Sequence, residues 1–304
     1  MKVFVTGASG HIGNAVVAEL VRAGHRVVGL VRSDAGAERV TAAGGEPLRG
    51  DLDDLDALVA AAKAADGVVH LGYKHELAFG GSPDGFVQAA QADVKVILAM
   101  GEALVGTDKP IVNTAGTAQL ALFGGLEGMG TEDDVLAGGP RVDGENGVIA
   151  LAKRGVRSSV VRLPPTVHSS LDHHGFIPMF VASAKKNGFS AYVGDGANVW
   201  PAVHTLDAAR VYRLALETAP AGTRLHAVQD EGVPFRAIAE AIAKGTGVPA
   251  RSLSKDEAPQ FLGGMAHFAQ VDNPTSSAKT RALLHWEPSH AGLVADLAAG
   301  HYFA

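Results

Sequence analysis

Residues 3–13 read VFVTGASGHIG, an apolar run followed by glycines at positions 7, 10 and 13. The run has the composition of a buried strand, and Ile12, Val16 and Leu20 then recur at the spacing of one helix face. Glycine permits a tight turn and close approach of a bound group. The free N–H groups that open a helix attract an anion. The segment therefore predicts a phosphate-binding turn between the first strand and the first helix.

The composition limits the kind of partner. The chain has 304 residues, of which 47% are hydrophobic, so it can bury a substantial core and is not disordered. Its formal charge is −6 without long runs of lysine or arginine, which argues against nucleic acid or an anionic membrane. It has no cysteine, which excludes disulfides, thiolate metal sites and a cysteine nucleophile. We expect a small-molecule partner, a cytoplasmic location, and neither a signal peptide nor a membrane span.

Short β-branched runs alternate with alanine-rich segments of helical period, which is typical of βαβ units around a parallel sheet. The pattern predicts a doubly wound α/β fold of about seven strands. The predicted strands are Val3–Thr6, Arg26–Val31, Pro47–Arg49, Val68–Leu71, Ile111–Asn113, Ser159–Leu163 and Arg224–Val228. The predicted helices are Ile12–Arg22, Leu55–Ala64, Phe86–Leu104, Gly144–Arg154 and Leu206–Glu217.

The pattern changes after about residue 166. Residues 1–166, rejoined by about 200–229, form the predicted dinucleotide-binding domain, and residues 167–199 and 230–304 form a smaller C-terminal part built on the sheet. Within the latter, VPFRAIAEAIAKGTG predicts a helix that ends at Gly245 and Gly247. Trp200 packs either against substrate or in the core.

The end of the second predicted strand selects the nucleotide. A carboxylate at this point holds the ribose 2′-hydroxyl of NAD, but this strand ends in Val31 and Arg32. Arg32 can pair with a 2′-phosphate, which favours NADP(H) without excluding NAD(H). The alternative is a solvated surface arginine.

Two later strand ends carry residues suited to the same cofactor. Asp51 and Leu52 follow the third predicted strand, where a carboxylate can accept a hydrogen bond from an adenine amino group. Leu71 and Gly72 end the fourth, and the glycine lets the backbone approach the cofactor. Each is an ordinary loop feature alone, but their order after successive strands supports one dinucleotide site.

The order of these motifs resembles that of the short-chain dehydrogenase/reductase superfamily, in its extended or atypical branch, which includes nucleoside-diphosphate-sugar epimerases. The matching segments are TGASGHIG, GDLDD, VVHLG, VNTAGT, VVRLPPTV and PAVHTLDAARVYRLAL, which cover about residues 1–228. The resemblance implies a seven-stranded Rossmann-type sheet, NAD(P) across the carboxyl ends of its strands and a small C-terminal substrate domain. It also implies a homodimer formed through the helices predicted at 86–104 and 144–154.

The catalytic residues that the resemblance implies are missing. Family members transfer a hydride between a carbinol or carbonyl carbon and nicotinamide, using a YxxxK motif and a serine or threonine. Here Ala137 stands at the tyrosine position and Arg141 at the lysine position, and a shift of one residue brings no phenol. The serine position is Ala115, flanked by Thr114 and Thr117. Arg141 can hold the cofactor, but its guanidinium stays protonated and cannot act as a base.

A reductase with these replacements needs another proton donor. Tyr73 and His75 follow the fourth strand, and His168 follows the LPPTV loop, which the resemblance places along the nicotinamide. Tyr192 and His204 are more remote candidates. Each of these side chains is alternatively an ordinary pocket or loop residue.

The segment HSSLDHHG at 168–175 also raises the question of a metal site. Its neighbouring histidines, His173 and His174, point apart on a strand or a helix, and no helical i, i+4 pair is evident there. We therefore predict no metal. Asp207 is interpreted as a charge at a helix N-terminus.

The sequence predicts an NADPH-preferring oxidoreductase of the atypical short-chain type, acting on a small carbonyl or alcohol with a nonstandard acid/base group. A non-catalytic NADP(H)-binding sensor and an epimerase-like isomerase are the open alternatives. The predicted catalytic residues are Thr114, Thr117, Arg141, Tyr73, His75 and His168. The predicted cofactor-binding residues are Gly7, Ser9, Gly10, His11, Ile12, Gly13, Arg32, Asp51, Leu52, Leu71, Gly72, Tyr73, Thr114, Arg141, Pro164, Thr166 and Val167.

Overall fold

The computed structural model describes residues 1–125 and 128–304. The strands are β1 (Lys2–Thr6), β2 (Arg26–Val31), β3 (Glu46–Arg49), β4 (Gly67–His70), β5 (Pro110–Gly116), β6 (Arg157–Leu163), β7 (Thr166–His168), β8 (Ser190–Val193), β9 (Val199–His204), β10 (Thr223–His226), β11 (Asp230–Pro234) and β12 (Ala250–Leu253). The helices are α1 (His11–Arg22), α2 (Asp34–Ala42), α3 (Leu55–Ala64), α4 (His75–Phe79), α5 (Gly85–Glu102), α6 (Ala118–Gly124), α7 (Val142–Ala150), α8 (Phe176–Asn187), α9 (Thr205–Thr218), α10 (Phe235–Thr246), α11 (Ala258–Leu262), α12 (Met265–Phe268), α13 (Ala278–Leu284) and α14 (Leu293–Ala298).

Seven parallel strands form the central sheet, in the order β10-β6-β5-β4-β1-β2-β3. This confirms the predicted doubly wound α/β fold. The chain moves outward from β1 to β3 and then crosses back to β4, so the loops after β1 and β4 diverge. A crevice forms at this reversal, at the carboxyl ends of the strands, where such sheets bind ligands.

Two apolar layers cover the faces of the sheet. On one side Val16 and Leu20 of α1 pack with Tyr212 of α9 against the strands. On the other side Leu58 of α3 and Ile97 of α5 pack with Val148 and the opposite faces of the strands. Because both faces are covered, the strands are nearly continuous apolar runs, as in the VVH of β4. None of the helices in the described ranges is long and apolar enough to cross a bilayer.

The C-terminal part has its own core. Strands β11, β9 and β7 form a small sheet, β8 pairs with β12, and the helices α8, α10 and α14 pack around them. Trp200 on β9 is 1% exposed, with its ring centre 5.9 Å from that of Phe180 and 5.1 Å from that of Phe235. Of the two alternatives for Trp200, the structure supports packing in the core.

Several boundaries differ from the sequence prediction. The helix predicted to end at Gly245 and Gly247 runs through Gly245 and ends at Gly247, which takes a positive φ of 73°. Position 245 is a glycine because a Cβ there would overlap the ring of Phe303, and not because the helix ends at this residue. Helix α2 was not predicted, since its sequence DAGAERVTA has little apolar periodicity and depends on a cap from Ser33. The helix predicted at 144–154 is α-helical only to Ala150 and then tightens into a 3₁₀ turn.

Candidate functional site

Two of the three glycines after β1, Gly7 and Gly13, are required by the geometry of the turn. Gly7 has φ 67°, and a Cβ on it would lie 2.7 Å from the Gly72 nitrogen at the end of β4. The Gly10 N–H donates to the Gly7 carbonyl at 3.0 Å. A Cβ on Gly13 would overlap that same carbonyl oxygen. The turn is therefore as close to β4 and to its own helix as the backbone allows.

Helix α1 begins at His11 directly behind this turn. Gly10 precedes it in an extended conformation and supplies no side chain to cap its first N–H groups. These donors, together with the positive end of the helix dipole, fit the pyrophosphate of a dinucleotide. Gly7, Ser9, Gly10, His11, Ile12 and Gly13, all predicted to bind the cofactor, lie together on this turn.

The residues that follow β2, β3 and β4 lie close together at one edge of the sheet. The Arg32 side chain is 67% exposed and lies 3.5 Å from the carboxylate of Glu76 on α4. Nearby, the Arg39 Nε donates to the Ser9 carbonyl at 3.1 Å. Leu52 lies against Gly72, since a Cβ on the glycine would be 2.9 Å from its methyl group. The structure thus brings Arg32, Leu52 and Gly72 to the same edge of the sheet, where Asp51 holds the following turn through the Asp53 N–H at 3.0 Å.

A chain of buried polar contacts runs beneath the crevice. Thr6 Oγ1 accepts from the Gly72 N–H at 3.1 Å and lies 2.6 Å from His70 Nδ1. His70 Nε2 lies 3.0 Å from the Asp93 carboxylate. In the tautomer that carries a proton on Nε2, His70 donates to Asp93 and its Nδ1 accepts from the Thr6 hydroxyl.

Arg141 is the last member of this series of polar contacts. Its guanidinium donates to Asp93 at 3.1 Å and to the Thr114 carbonyl at 3.1 Å, and its side chain is only 15% exposed. Arg141 is the residue before α7 and has a positive φ of 69°, which is uncommon for a residue with a side chain. Such backbone strain persists only where the surrounding contacts hold it, and it is concentrated at functional sites.

Tyr73 lies directly against this guanidinium, with 4.2 Å between the guanidinium carbon and the centre of the ring. The Tyr73 hydroxyl is buried and has no hydrogen-bond partner among the described residues. Burial raises the pKa of Tyr73 and Arg141 only partly offsets this, so the phenol is protonated at neutral pH. The ring of His75 meets Tyr73 edge-on at 5.1 Å, and burial together with Arg141 lowers the pKa of His75.

The threonines predicted near the serine position are engaged in structural bonds. Thr114 Oγ1 donates to the His70 carbonyl at 2.7 Å and lies 2.8 Å from the Tyr212 hydroxyl. Thr117 is fully buried and accepts from Asn273 at 3.0 Å. Ala137, at the position of the family's tyrosine, is exposed in the loop before α7. Where family members have the catalytic tyrosine, this protein therefore has a loop, which ends at Arg141.

The loop after β6 carries the remaining predicted cofactor residues. Pro164 and Thr166 are buried at the carboxyl edge of the sheet, and Val167 is half-buried. Thr166 is 2% exposed, and its hydroxyl has no partner among the described residues. A buried hydroxyl without a partner fits a position beside a polar ligand.

His168 belongs to a different cluster. Its Nδ1 lies 2.9 Å from the Asp296 carboxylate, and the side chain is fully buried between β7 and the C-terminal residues. His173 and His174 are exposed. Tyr192 lies on β8 under Arg236, at 5.6 Å, in the C-terminal part. The structure therefore brings Tyr73 and His75 to Arg141, and places His168 and Tyr192 in other surroundings.

Donor atoms of His204, Asp207 and His290 lie within 4.8 Å of one another. The Asp207 carboxylate already accepts from the main-chain N–H groups of Ser289 and His290. The two imidazoles are stacked nearly parallel at 4.4 Å, so their lone pairs do not converge on one point. Asp207, interpreted from the sequence as a helix N-terminal charge, holds the 289–290 loop to α9.

Sequence reasoning missed His70, Asp93 and Tyr212. Asp93 is buried in the middle of α5, on the same stripe as Ala89, Val96 and Ile97. A charged residue in register with a buried helical stripe must be paired, and this signal could have identified it.

Comparison with known proteins identifies the class. A model of the NAD dependent epimerase/dehydratase family matches residues 3–118. The chain is 45% identical to an uncharacterized protein of Schizosaccharomyces pombe, with 100% of both chains covered. It is 28% identical to the 2-alkyl-3-oxoalkanoate reductase of Stenotrophomonas maltophilia, over 82% of this chain and 77% of that protein. The chain belongs to the NAD-dependent epimerase/dehydratase family, within the extended short-chain dehydrogenase/reductases.

Solved structures show the same fold. A dTDP-glucose 4,6-dehydratase from Streptomyces venezuelae, DesIV, with NAD and TYD bound, aligns with a TM-score of 0.77 at 20% identity, covering 100% of this chain and 96% of that chain. MoeE5 in complex with UDP-glucose and NAD aligns with a TM-score of 0.75 at 21% identity, covering 100% and 98%. At this identity the likeness concerns the fold.

Proposed function

We propose that the protein is an NADPH-preferring reductase of small carbonyl compounds, with Tyr73 as the proton donor. The observation that carries the proposal is the buried, unpartnered Tyr73 hydroxyl on a ring held under the Arg141 guanidinium at 4.2 Å. When bound, the dinucleotide supplies a hydride; the protein must supply a proton to the substrate oxygen. Because burial keeps the phenol protonated, Tyr73 is poised to donate that proton rather than to accept one.

Arg141 has the positioning role. Two of its five N–H bonds go to Asp93 and Thr114 within the described residues, which fixes the plane of the guanidinium over Tyr73. Its remaining donors are available for a ribose hydroxyl, a phosphate or the carbonyl oxygen. A fixed positive charge beside the reacting oxygen stabilises the negative charge that develops there during hydride addition.

The preference for NADPH rests on Arg32. The end of β2 offers this guanidinium where NAD-specific folds place a carboxylate. Glu76 lies 3.5 Å from Arg32 and is its carboxylate partner in the absence of a cofactor. A 2′-phosphate would make a stronger, charge-assisted pair with the same guanidinium.

An isomerase of nucleotide sugars is less well supported. Such substrates carry a diphosphate, which proteins commonly bind with arginines. Beyond residue 166, each arginine is already paired with a carboxylate of the protein: Arg210 with Asp207, Arg213 with Glu19 and Glu217, Arg224 with Glu145, Arg236 with Glu240, Arg251 with Glu257, and Arg281 with Glu287. This pairing favours a substrate without a diphosphate.

A non-catalytic NADP(H) sensor is the second candidate function. It is favoured by the alanines at two catalytic positions, with Ala137 exposed in a loop and Ala115 buried. A sensor would keep the dinucleotide site while Tyr73 and Arg141 served only to close it.

The deciding experiment follows NADPH absorbance at 340 nm with a panel of aldehydes, ketones and β-keto acids. The expected result is turnover with at least one class, which Tyr73→Phe reduces by about 100-fold or more while NADPH affinity is retained. Tyr192→Phe removes a phenol under Arg236 and serves as the matched control. Tight NADPH binding without turnover across the panel would replace the reductase with the sensor. Equal activity of Tyr73→Phe and the wild type would exclude Tyr73 as the donor.

A further inference from the structure

A short C-terminal tail, residues 293–304, is anchored to the rest of the protein at both of its ends. Leu293 and Leu297 of α14 are fully buried in the C-terminal core. Phe303 packs against Gly245, at the place that a Cβ would occupy, and its carbonyl accepts from Lys185 at 3.1 Å. Tyr302 lies between these anchors, so the direction of its side chain is fixed by the tail.

The Tyr302 hydroxyl binds the loop that leads from β7 to α8. It accepts from the Ser169 N–H at 3.1 Å and donates to Asp172 Oδ2 at 3.2 Å. Asp172 is 4% exposed, and its Oδ1 accepts from the Gly175 N–H at 2.8 Å. Burial and the adjacent carboxylate raise the pKa of Tyr302, so the hydroxyl keeps its proton and remains a donor to Asp172.

Asp172 in turn faces the residue that begins the pyrophosphate-binding helix. Its Oδ1 lies 3.7 Å from His11 Nδ1. His11 Nε2 lies 2.7 Å from Thr205 Oγ1, which also lies 3.1 Å from the His168 carbonyl oxygen. In the tautomer in which the Thr205 hydroxyl donates to Nε2, neutral His11 carries its proton on Nδ1 and directs it toward the carboxylate that Tyr302 holds.

The tail also reaches the other wall of the crevice. Asp296 on α14 lies 2.9 Å from Nδ1 of the fully buried His168. His168 ends β7, the strand that begins at Thr166 just after Pro164 at the carboxyl end of β6. The same twelve-residue tail, 293–304, thus contacts both the loop facing the glycine turn and the strand that continues from the LPPTV loop.

We propose that the C-terminal tail is a positioning element of the dinucleotide site, with Tyr302 acting through Asp172 on His11. The proposal rests on the proposed dinucleotide-binding function. Tyr302 fixes Asp172, Asp172 and Thr205 fix the His11 side chain, and His11 sets the position of the first N–H groups of α1. A donor set that is already ordered binds the pyrophosphate without the entropic cost of ordering it.

A purely structural tail would behave differently. If Tyr302 only packed the C-terminal part, its loss would lower stability and leave cofactor affinity unchanged. If it positions the site, the loss of one hydroxyl weakens dinucleotide binding while the core, which is built from Leu293, Leu297 and Phe303, remains intact.

The test measures the dissociation constants for NADPH and NADH of full-length Tyr302→Phe by fluorescence titration. This variant keeps the ring and removes only the hydroxyl. We expect both constants to rise about tenfold, as for a lost hydrogen bond to a charged group, when they are measured well below the thermal midpoint, which the unpaired Asp172 lowers. Tyr192→Phe, the matched loss of a phenol in the same part of the chain, is expected to bind both cofactors like the wild type.

Gly245→Ala provides a second route to the same result. Alanine favours the helix, so α10 is not weakened, but its Cβ displaces the Phe303 ring and with it the tail. We expect weaker binding of both cofactors and faster proteolysis of the tail. Wild-type affinity in both variants would overturn the proposal. A wild-type protein that bound neither NADPH nor NADH would instead contradict the dinucleotide function itself.

Discussion

The Arg141 guanidinium lies 4.2 Å from the centre of the Tyr73 ring, and the two residues come from two separate loops. Tyr73 follows β4, whereas Arg141 precedes α7 in a strained conformation. The family's tyrosine and lysine are four residues apart on one helix. Here a phenol and a cation meet from two separate loops, so the contact depends on the whole sheet being assembled.

Arg141→Lys tests the shape of this cation rather than its charge. Lysine keeps the positive charge but cannot stack flat on Tyr73 while bonding both Asp93 and the Thr114 carbonyl. We expect kcat/KM to fall about 10- to 100-fold, mainly through kcat, measured as NADPH oxidation. Arg236→Lys, which alters the comparable stack over Tyr192, is expected to leave kcat/KM unchanged. Full activity of Arg141→Lys would show that charge alone suffices.

Arg32 and Glu76 predict opposite effects on cofactor choice. Arg32→Ala should weaken NADPH about 10- to 100-fold, because it removes a charge-assisted bond to the 2′-phosphate, and should change NADH affinity little. Glu76→Gln removes the carboxylate that competes for Arg32, so NADPH binding should tighten. Titration of both cofactors against both variants measures this. An equal loss of NADPH and NADH affinity in Arg32→Ala would contradict the assignment to the 2′-phosphate.

The sequence predicts the fold well because its signals are local. The glycine turn, the strands and helices such as Leu55–Ala64 each follow from the periodicity of a few neighbouring residues. The site depends on contacts between distant segments. Arg141 meets Asp93 across 48 positions, and Tyr302 meets Asp172 across 130. Such pairs are set by how whole elements pack, which no local pattern records.

The sequence predicts the candidate site only in part, again because the site depends on contacts between distant segments. Tyr73 and Arg141 were each predicted as candidates from their place after a strand or near the family's motif, but nothing in the sequence shows that they touch. Thr117 is a candidate because it lies beside the family's serine position, but its hydroxyl accepts from Asn273, 156 positions away. Tertiary contacts decide which polar residues near a motif remain free for chemistry.

His226 predicts acid sensitivity of the fold. It donates from Nδ1 to the Ser276 carbonyl at 2.8 Å, and its Nε2 lies 3.1 Å from the Arg162 guanidinium. Burial lowers its pKa to about 4. The unfolded state binds a proton on this histidine near pH 6.5, whereas the folded state binds it only near pH 4. The free energy of unfolding therefore decreases as the pH is lowered from about 6.5 to 4. At pH 5 this amounts to about 2 kcal/mol, measurable by urea unfolding.

His226→Gln isolates this contribution. Glutamine offers Arg162 an acceptor and does not titrate, so the variant should lose less stability than the wild type between pH 7.5 and pH 5. His267→Gln, which replaces an exposed histidine, should follow the wild-type pH profile. Parallel profiles for His226→Gln and the wild type would show that other groups cause the acid loss.

His11 predicts that cofactor binding takes up a proton. Burial lowers the pKa of His11 and outweighs the attraction of Asp172, while His168, His173 and His174 lower it further. The free protein therefore holds His11 neutral at neutral pH, with Nδ1 3.7 Å from Asp172. A bound pyrophosphate brings negative charge to the first turn of α1 and raises the pKa of His11. Protonation then adds a positive charge between the pyrophosphate and Asp172.

The sign of the pH effect follows from this shift. Because the pKa of His11 is higher in the complex than in the free protein, affinity falls as pH rises from the free to the bound value, by at most about tenfold per pH unit for one proton. The measurement uses NADH, which has no 2′-phosphate to titrate, in calorimetry with buffers of different ionisation enthalpy. His11→Gln can keep a hydrogen bond to Thr205 and should abolish both the proton uptake and the slope. A slope that persists in His11→Gln would assign the proton to another group.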